Sequence, residues 1–193
     1  MLTFDYWLFT IINSYAGQWD WLDGIARLFL NDYFVPTLMA IILLVLWFEG
    51  ASHSQQQRNR RAVLAATLGT LLGNMLLKIV NLLYFRPRPF AGQAVNLLFY
   101  QPTDSSFPSN AATIGFAIAA GVWFHNRSWG FGLFFIAGLF GLSRIFGGVH
   151  FPLDIVGGVG LGCLAAWLVY RQEKLVDTLL TAIVTLASKL SLS

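Results

Sequence analysis

Apolar residues in this chain run in long blocks separated by short polar breaks, and the blocks set the elements. The first strong block covers 33–48, ends at Glu49 and gives way to a polar stretch, 52–61, which reads as a loop. A second block, 62–85, is long enough to cross a bilayer with tilt, with Lys78 near its far end where a lysine can snorkel to the interface. It stops at Arg86-Pro87-Arg88-Pro89, because proline ends a helix and holds the preceding residue extended. After a longer connection, 90–106, come a third block at 107–124 and a fourth at 129–142, separated by the polar turn His125-Asn126-Arg127-Ser128. Both are short for spans, which is expected if their ends at Ser109 and Arg144 lie inside the membrane boundary and line a polar site. The fifth block, 153–170, is rich in small residues, and Gly158 and Gly162 stand at the spacing that lets two helices approach closely.

Two flanking segments are amphipathic. Residues 1–30 mix Phe4, Trp7, Leu8, Ile11, Ile12, Trp19, Trp21 and Leu22 with Asp5, Asp20, Asp23 and Arg27, which suits helices lying in the interface. Residues 172–193 carry Val176, Leu179, Leu180, Ile183, Ala187 and Leu190 at helical spacing. That face suits either the membrane surface or a partner, so a homo-oligomer stays open. The expected fold class is all-α: a polytopic membrane helix bundle of about five spans, with room for a sixth, between amphipathic terminal helices. One membrane-embedded domain, 1–193, uses the whole length.

Composition agrees with the pattern. Hydrophobic residues make up 56% of the chain and charged ones only 11%, against roughly 25% charged in a soluble domain. A net charge of +3 without a long basic run gives no support for nucleic-acid binding. The single cysteine, Cys163, excludes an internal disulfide and a cysteine metal cluster. The first basic residue is Arg27, so a cleavable signal peptide, which needs a basic start, is not expected. Arg58, Arg60, Arg61, Arg127, Arg171 and Lys174 all fall on one side of the bundle, which the positive-inside rule makes cytoplasmic. The opposite, extracytoplasmic face of the plasma membrane then receives Arg86, Arg88, Ser109, Arg144, His150 and Asp154.

Those residues belong to three segments: YFRPRPF at 84–90, SFPSNAA at 106–112 and SRIFGGVHFPLD at 143–154. Phosphoryl transfer spreads negative charge over three equatorial oxygens, so its site needs fixed donors. Arg88 and Arg144 can each present a forked pair of N–H groups to phosphate. Ser109 sits just before an apolar helix, where its hydroxyl and the free N–H groups of the first turn, beginning at Asn110, make an anion site. Gly147 and Gly148 let backbone approach closely. His150 can attack phosphorus while Asp154 supports its other ring nitrogen, and Pro152 stiffens the turn between them. Arg86 is a further phosphate-ligand candidate, although a rim arginine at headgroup level has the same sequence appearance.

These motifs resemble the type 2 phosphatidic acid phosphatase family, relatives of the vanadium haloperoxidases, and the RPRPF form is similar to its bacterial undecaprenyl-diphosphate phosphatase branch. The resemblance covers about residues 30–171. It implies His150 as a nucleophile that forms a phospho-histidine, Asp154 as its orienter, and Arg88, Ser109 and Arg144 as phosphate ligands. No metal or other cofactor is implied, and the partner is a membrane lipid phosphate. The family lysine expected seven residues before the second arginine is Asn81 here, with Lys78 one helical turn away as a partial replacement.

The family also places its general-acid histidine after PS-x, where this chain has Ala111. An alkoxide leaving from a monoester is about as basic as hydroxide and almost requires that proton. A phosphate leaving from a diphosphate, with a pKa of roughly 6, departs unaided. The substitution therefore fits hydrolysis of polyprenyl diphosphate to monophosphate. It also fits a catalytically impaired relative that binds or moves a lipid phosphate, or an engineered inactive form. Asp104 is a replacement donor on paper, and equally an ordinary turn residue.

Overall fold

The computed structural model describes residues 3–190 as eight α-helices and one short 3-10 turn. In chain order the helices are α1 (Thr3–Ser14), α2 (Asp20–Leu30), α3 (Phe34–Phe48), α4 (His53–Leu83), α5 (Asn110–Trp123), α6 (Arg127–Phe146), α7 (Pro152–Tyr170) and α8 (Glu173–Leu190). Residues 1, 2 and 191–193, at the ends of the amphipathic segments, and the side chains of Thr3 and Ala187 lie outside the described residues.

α4, α6 and α7 are each long and apolar enough to cross a membrane, and α2 with α3 meets the same criterion across a 60° bend. α5 is apolar but has only 14 residues, about 21 Å of helix against a hydrocarbon core of about 30 Å. It starts within the bundle because Ser109 is fully buried there as its N-cap. α5 is the central helix, packed on α4, α6 and α7. The contact with α7 depends on small residues: a Cβ on Gly158 or Gly162 would run into α5 backbone at Ser109 and Thr113. A core of Val35, Met39, Leu46, Ala66, Ile118, Leu133 and Phe140 joins α3, α4, α5 and α6.

Three sequence expectations change. The stretch 52–61 is not a loop but the opening of α4, capped by the Ser52 hydroxyl, which accepts from the Gln55 amide at 3.3 Å. Its polar residues fooled the pattern because they project from a helix beyond the apolar span, and buried Asn59 accepts a hydrogen bond from Asn126 at the cap of α6. α4 ends at Leu83, so Tyr84 and Phe85 already belong to the extended exit. The N-terminal segment does more than lie along a surface: α1 buries Asp5, Phe9 and Asn13 against α6, α7 and the connection between them. At the other end, Val176 and Leu180 of α8 pack on Leu64, Ala65 and Val169, leaving Ile183 and Leu186 exposed.

Candidate active site

Three helix termini and two connections meet at one end of the bundle. α6 runs to Phe146, and the chain reverses at Gly148, whose φ of +83° is a left-handed conformation that a side chain resists. The side-chain amide of Asn13 donates to the carbonyls of Phe146 at 2.8 Å and Asn96 at 2.9 Å, tying α1 and the long connection to this turn. His150 follows, and Pro152 occupies the first turn of α7, where its missing N–H costs nothing. The Asp154 carboxylate then accepts from the Phe151 amide at 2.8 Å and closes that turn.

The imidazole of His150 is 4% exposed, and its two nitrogens have different partners. Nδ1 lies 2.8 Å from the Ser106 carbonyl, which can only accept, so Nδ1 carries the proton. The lone pair of the neutral ring is then on Nε2, which accepts from Arg88 Nη1 at 3.2 Å. Burial pushes the His150 pKa below its ordinary value, despite the opposing pull of Asp154. A neutral imidazole with its lone pair on Nε2 is the nucleophilic form, and here that lone pair is engaged by Arg88. Asp154 stands 3.6 Å from Nδ1, too far for a hydrogen bond, and reaches the ring through Ser106, whose hydroxyl donates to it at 2.5 Å.

A cavity of about 210 Å³ is lined by His150 together with Arg88, Arg144, Asn110, Ala111 and Asp104 and apolar Ile114 and Phe140. Arg88 is held by the Val149 carbonyl at 2.9 Å and by Asp104 at 2.8 Å. Arg144 is clasped between the rings of Phe99 and Phe140 at 5.1 and 4.7 Å, pairs with Asp32 at 3.0 Å, and keeps a buried Nε–H with no partner. A buried unsatisfied donor beside a cavity marks a place where an anion gains most. Among the described residues no hydrogen-bond partner is seen for the amides of Asn110 and Ala111, as expected for the first turn of α5. Asp104 and Asp32 thus offset the charges of Arg88 and Arg144.

Of the residues singled out from sequence, Arg88, Asn110, Ala111, Arg144 and His150 line this cavity together. Ser109 does not: its hydroxyl is buried in the cap, so it acts by starting α5 where its amides face the site. Lys78 is exposed on α4 and is not among the cavity residues. Arg86 stands behind Asp154 rather than in the cavity, bridging Asp154 at 2.6 Å and Asp5 at 2.5 Å over the face of Phe151. Asp5, Asp32, Tyr100 and Ser106 were not foreseen as site residues. For Asp5 a signal did exist, since it shares a helical face with Phe9 and Asn13, but a lone carboxylate near an apolar N-terminus reads equally well as a solvated one.

The PAP2 superfamily model matches residues 62–176, more than half of the chain. The chain belongs to the PAP2 superfamily. Among curated PAP2-related proteins, it is 32% identical over 171 residues to undecaprenyl-diphosphatase BcrC of Bacillus subtilis (strain 168), covering 89% of this chain and 85% of that one. Among solved structures, Aquifex aeolicus LpxE superposes with a TM-score of 0.61 at 29% identity, covering 88% of this chain and 96% of that one. A PAP2-type phosphatidylglycerolphosphate phosphatase from Bacillus subtilis gives 0.58 at 25% identity, covering 89% and 87%. Membership in the PAP2 superfamily makes the chain a membrane lipid phosphatase. α1, α2 and α3, and with them Asp5 and Asp32, precede the matched PAP2 segment.

Proposed function

We propose that this chain hydrolyses a polyprenyl diphosphate, with undecaprenyl diphosphate as the leading candidate, to the monophosphate at the extracytoplasmic face of the plasma membrane. The observation that carries the proposal is the gathering of His150, two arginines and the first turn of α5 around one cavity, with Ala111 at the position where the family resemblance implies a general acid. The similarity to a relative named undecaprenyl-diphosphatase supports the same substrate class.

In this mechanism the terminal phosphate displaces Asp104 and Asp32 from Arg88 and Arg144. Nε2 attacks the terminal phosphorus in line, the bridging P–O bond breaks, and lipid monophosphate leaves as an anion with a pKa of roughly 6, without needing a proton. The ring, now bonded at both nitrogens, carries a positive charge. Water next attacks phosphorus, the N–P bond breaks, and inorganic phosphate departs. Arg88, Arg144 and the α5 amides hold the equatorial oxygens through both steps.

Phosphate release by the purified chain from undecaprenyl diphosphate and from a lipid monophosphate is the direct test. Turnover of the diphosphate well above that of the monophosphate supports the proposal, while binding without release from either favours a silent lipid-phosphate binder. Arg144→Ala should weaken lipid-phosphate binding about tenfold or more, since a hydrogen bond to a charged group contributes about 1.5–3 kcal/mol. Equal affinity in parent and variant would return Arg144 to an anchoring role. For the face, cysteines introduced within 52–61 in a Cys163-free background should react with an impermeant reagent only after the membrane is opened. Labelling of intact cells would reverse the orientation.

A further inference from the structure

We propose that Asp5, on a helix outside the matched family segment, is a positioning residue for the nucleophile: it offsets the charge of Arg86 so that Asp154 can support a cationic His150. The proposal rests on His150 being that nucleophile.

Asp5 is 1% exposed, although it lies in the first turn of an N-terminal helix. One carboxylate oxygen pairs with Arg86 Nη2 at 2.5 Å, and the other accepts from the Leu153 amide at 2.9 Å, within the first turn of α7. Arg86 Nη1 pairs in turn with Asp154 at 2.6 Å. Asp154 takes the Ser106 hydroxyl at 2.5 Å, and the Ser106 carbonyl takes the His150 Nδ1 proton at 2.8 Å. A continuous polar chain therefore runs from α1 to the back of the imidazole.

Its charges decide what it does. When Nε2 bonds phosphorus and Nδ1 keeps its proton, the ring gains a positive charge in a site it shares with Arg88 and Arg144. Those arginines face the phosphoryl oxygens, so the ring must be stabilised from behind. Asp154 and Arg86 alone form a neutral pair, which offers a cation little. Two carboxylates around one guanidinium leave one net negative charge, and in a buried setting that charge is felt strongly. Asp5 thus converts a neutral ion pair into an anionic support while the Leu153 contact fixes the start of α7. Removing an outer carboxylate behind a metal-bound histidine typically costs about 10–100-fold, and a loss of the same order is expected behind this one.

Orthovanadate tests this without requiring turnover or a leaving-group acid, because its five-coordinate adduct places a bond on Nε2, whereas inorganic phosphate binds without one. Affinities for both are measured by calorimetry on the full chain in detergent, with His150→Ala as the reference. Asp5→Asn should weaken vanadate about 10–100-fold and change phosphate affinity little, and Asp5→Glu should recover part of the loss. In Asp5→Asn/Arg86→Gln, Asp154 alone restores one net negative charge, so vanadate affinity should rise again above the single variant. An unchanged vanadate affinity in Asp5→Asn overturns the proposal, as does equal loss of vanadate and phosphate, or a double variant worse than the single. If vanadate binding by the parent does not depend on His150, the nucleophile assignment itself fails, and the proposal with it.

Discussion

Replacing His150 by alanine should abolish hydrolysis while leaving the phosphate cavity able to bind. Arg88, Arg144 and the α5 amides remain after the substitution, and Arg88 Nη1, freed from Nε2, is available for an additional phosphate contact. A nucleophile acting with its supporting groups is worth on the order of 10⁶-fold in kcat in well-studied hydrolases. No other histidine can take its place: His125 lies at the start of α6 and His53 at the start of α4, both at the opposite end of the bundle. The check is phosphate release together with acid-labile, base-stable label on the protein after brief incubation with terminally labelled diphosphate. The parent should carry that label and the variant should not; residual turnover in the variant at the parent rate would exclude His150. The pH profile gives an independent sign. Burial lowers the His150 pKa, so the imidazole stays neutral and nucleophilic at pH 7 and into the mildly acidic range. Activity should therefore fall only as pH drops through that lowered value, later than an exposed histidine would allow.

Restoring a histidine at position 111 should raise hydrolysis of a lipid monophosphate about 10²–10⁴-fold, the usual worth of a general acid, and raise diphosphate hydrolysis much less. Ala111 lines the same cavity as His150 and sits beside the free amide of Asn110, one residue into α5. A ring introduced there can protonate an oxygen leaving opposite Nε2. The benefit grows with the basicity of the leaving group, so the alkoxide of a monophosphate gains most. Both substrates are to be assayed on one preparation, with Ala111→His/His150→Ala as the background. Equal stimulation of both would refute the leaving-group account of Ala111. Stimulation of neither would favour a binding protein whose site has diverged beyond one residue.

Much of the bundle was legible because transmembrane helices announce themselves by length and hydropathy. The third, fourth and fifth blocks correspond to α5, α6 and α7, with boundaries shifted by a few residues. The close α5–α7 contact was also legible, since Gly158 and Gly162 leave a small-residue stripe that only a near helix can fill. Boundaries failed where polarity and helicity part company. Residues 52–61 are polar because they extend α4 past its apolar span, and a hydropathy pattern cannot tell a solvated helical turn from a loop.

By itself, then, the sequence determined an all-α membrane bundle and the chemical inventory of a phosphate site, because apolar run length and motif spacing are local properties of the chain. It also singled out Ala111 as the position where the family resemblance implies an acid. Tertiary structure alone decided how that inventory divides. Arg86 and Arg88 differ by two residues in an extended segment, yet one is turned back to Asp5 and Asp154 and the other forward into the cavity. Ser109 and Asn110 are adjacent, yet the first is sealed in a helix cap and the second lines the site. Asp5 and Asp154, 149 positions apart in the chain, share Arg86 between them, an arrangement set by the packing of α1 on α6 and α7. Side-chain direction in an extended exit, at a helix cap and between distant helices depends on what packs there, and that is settled only when the bundle closes.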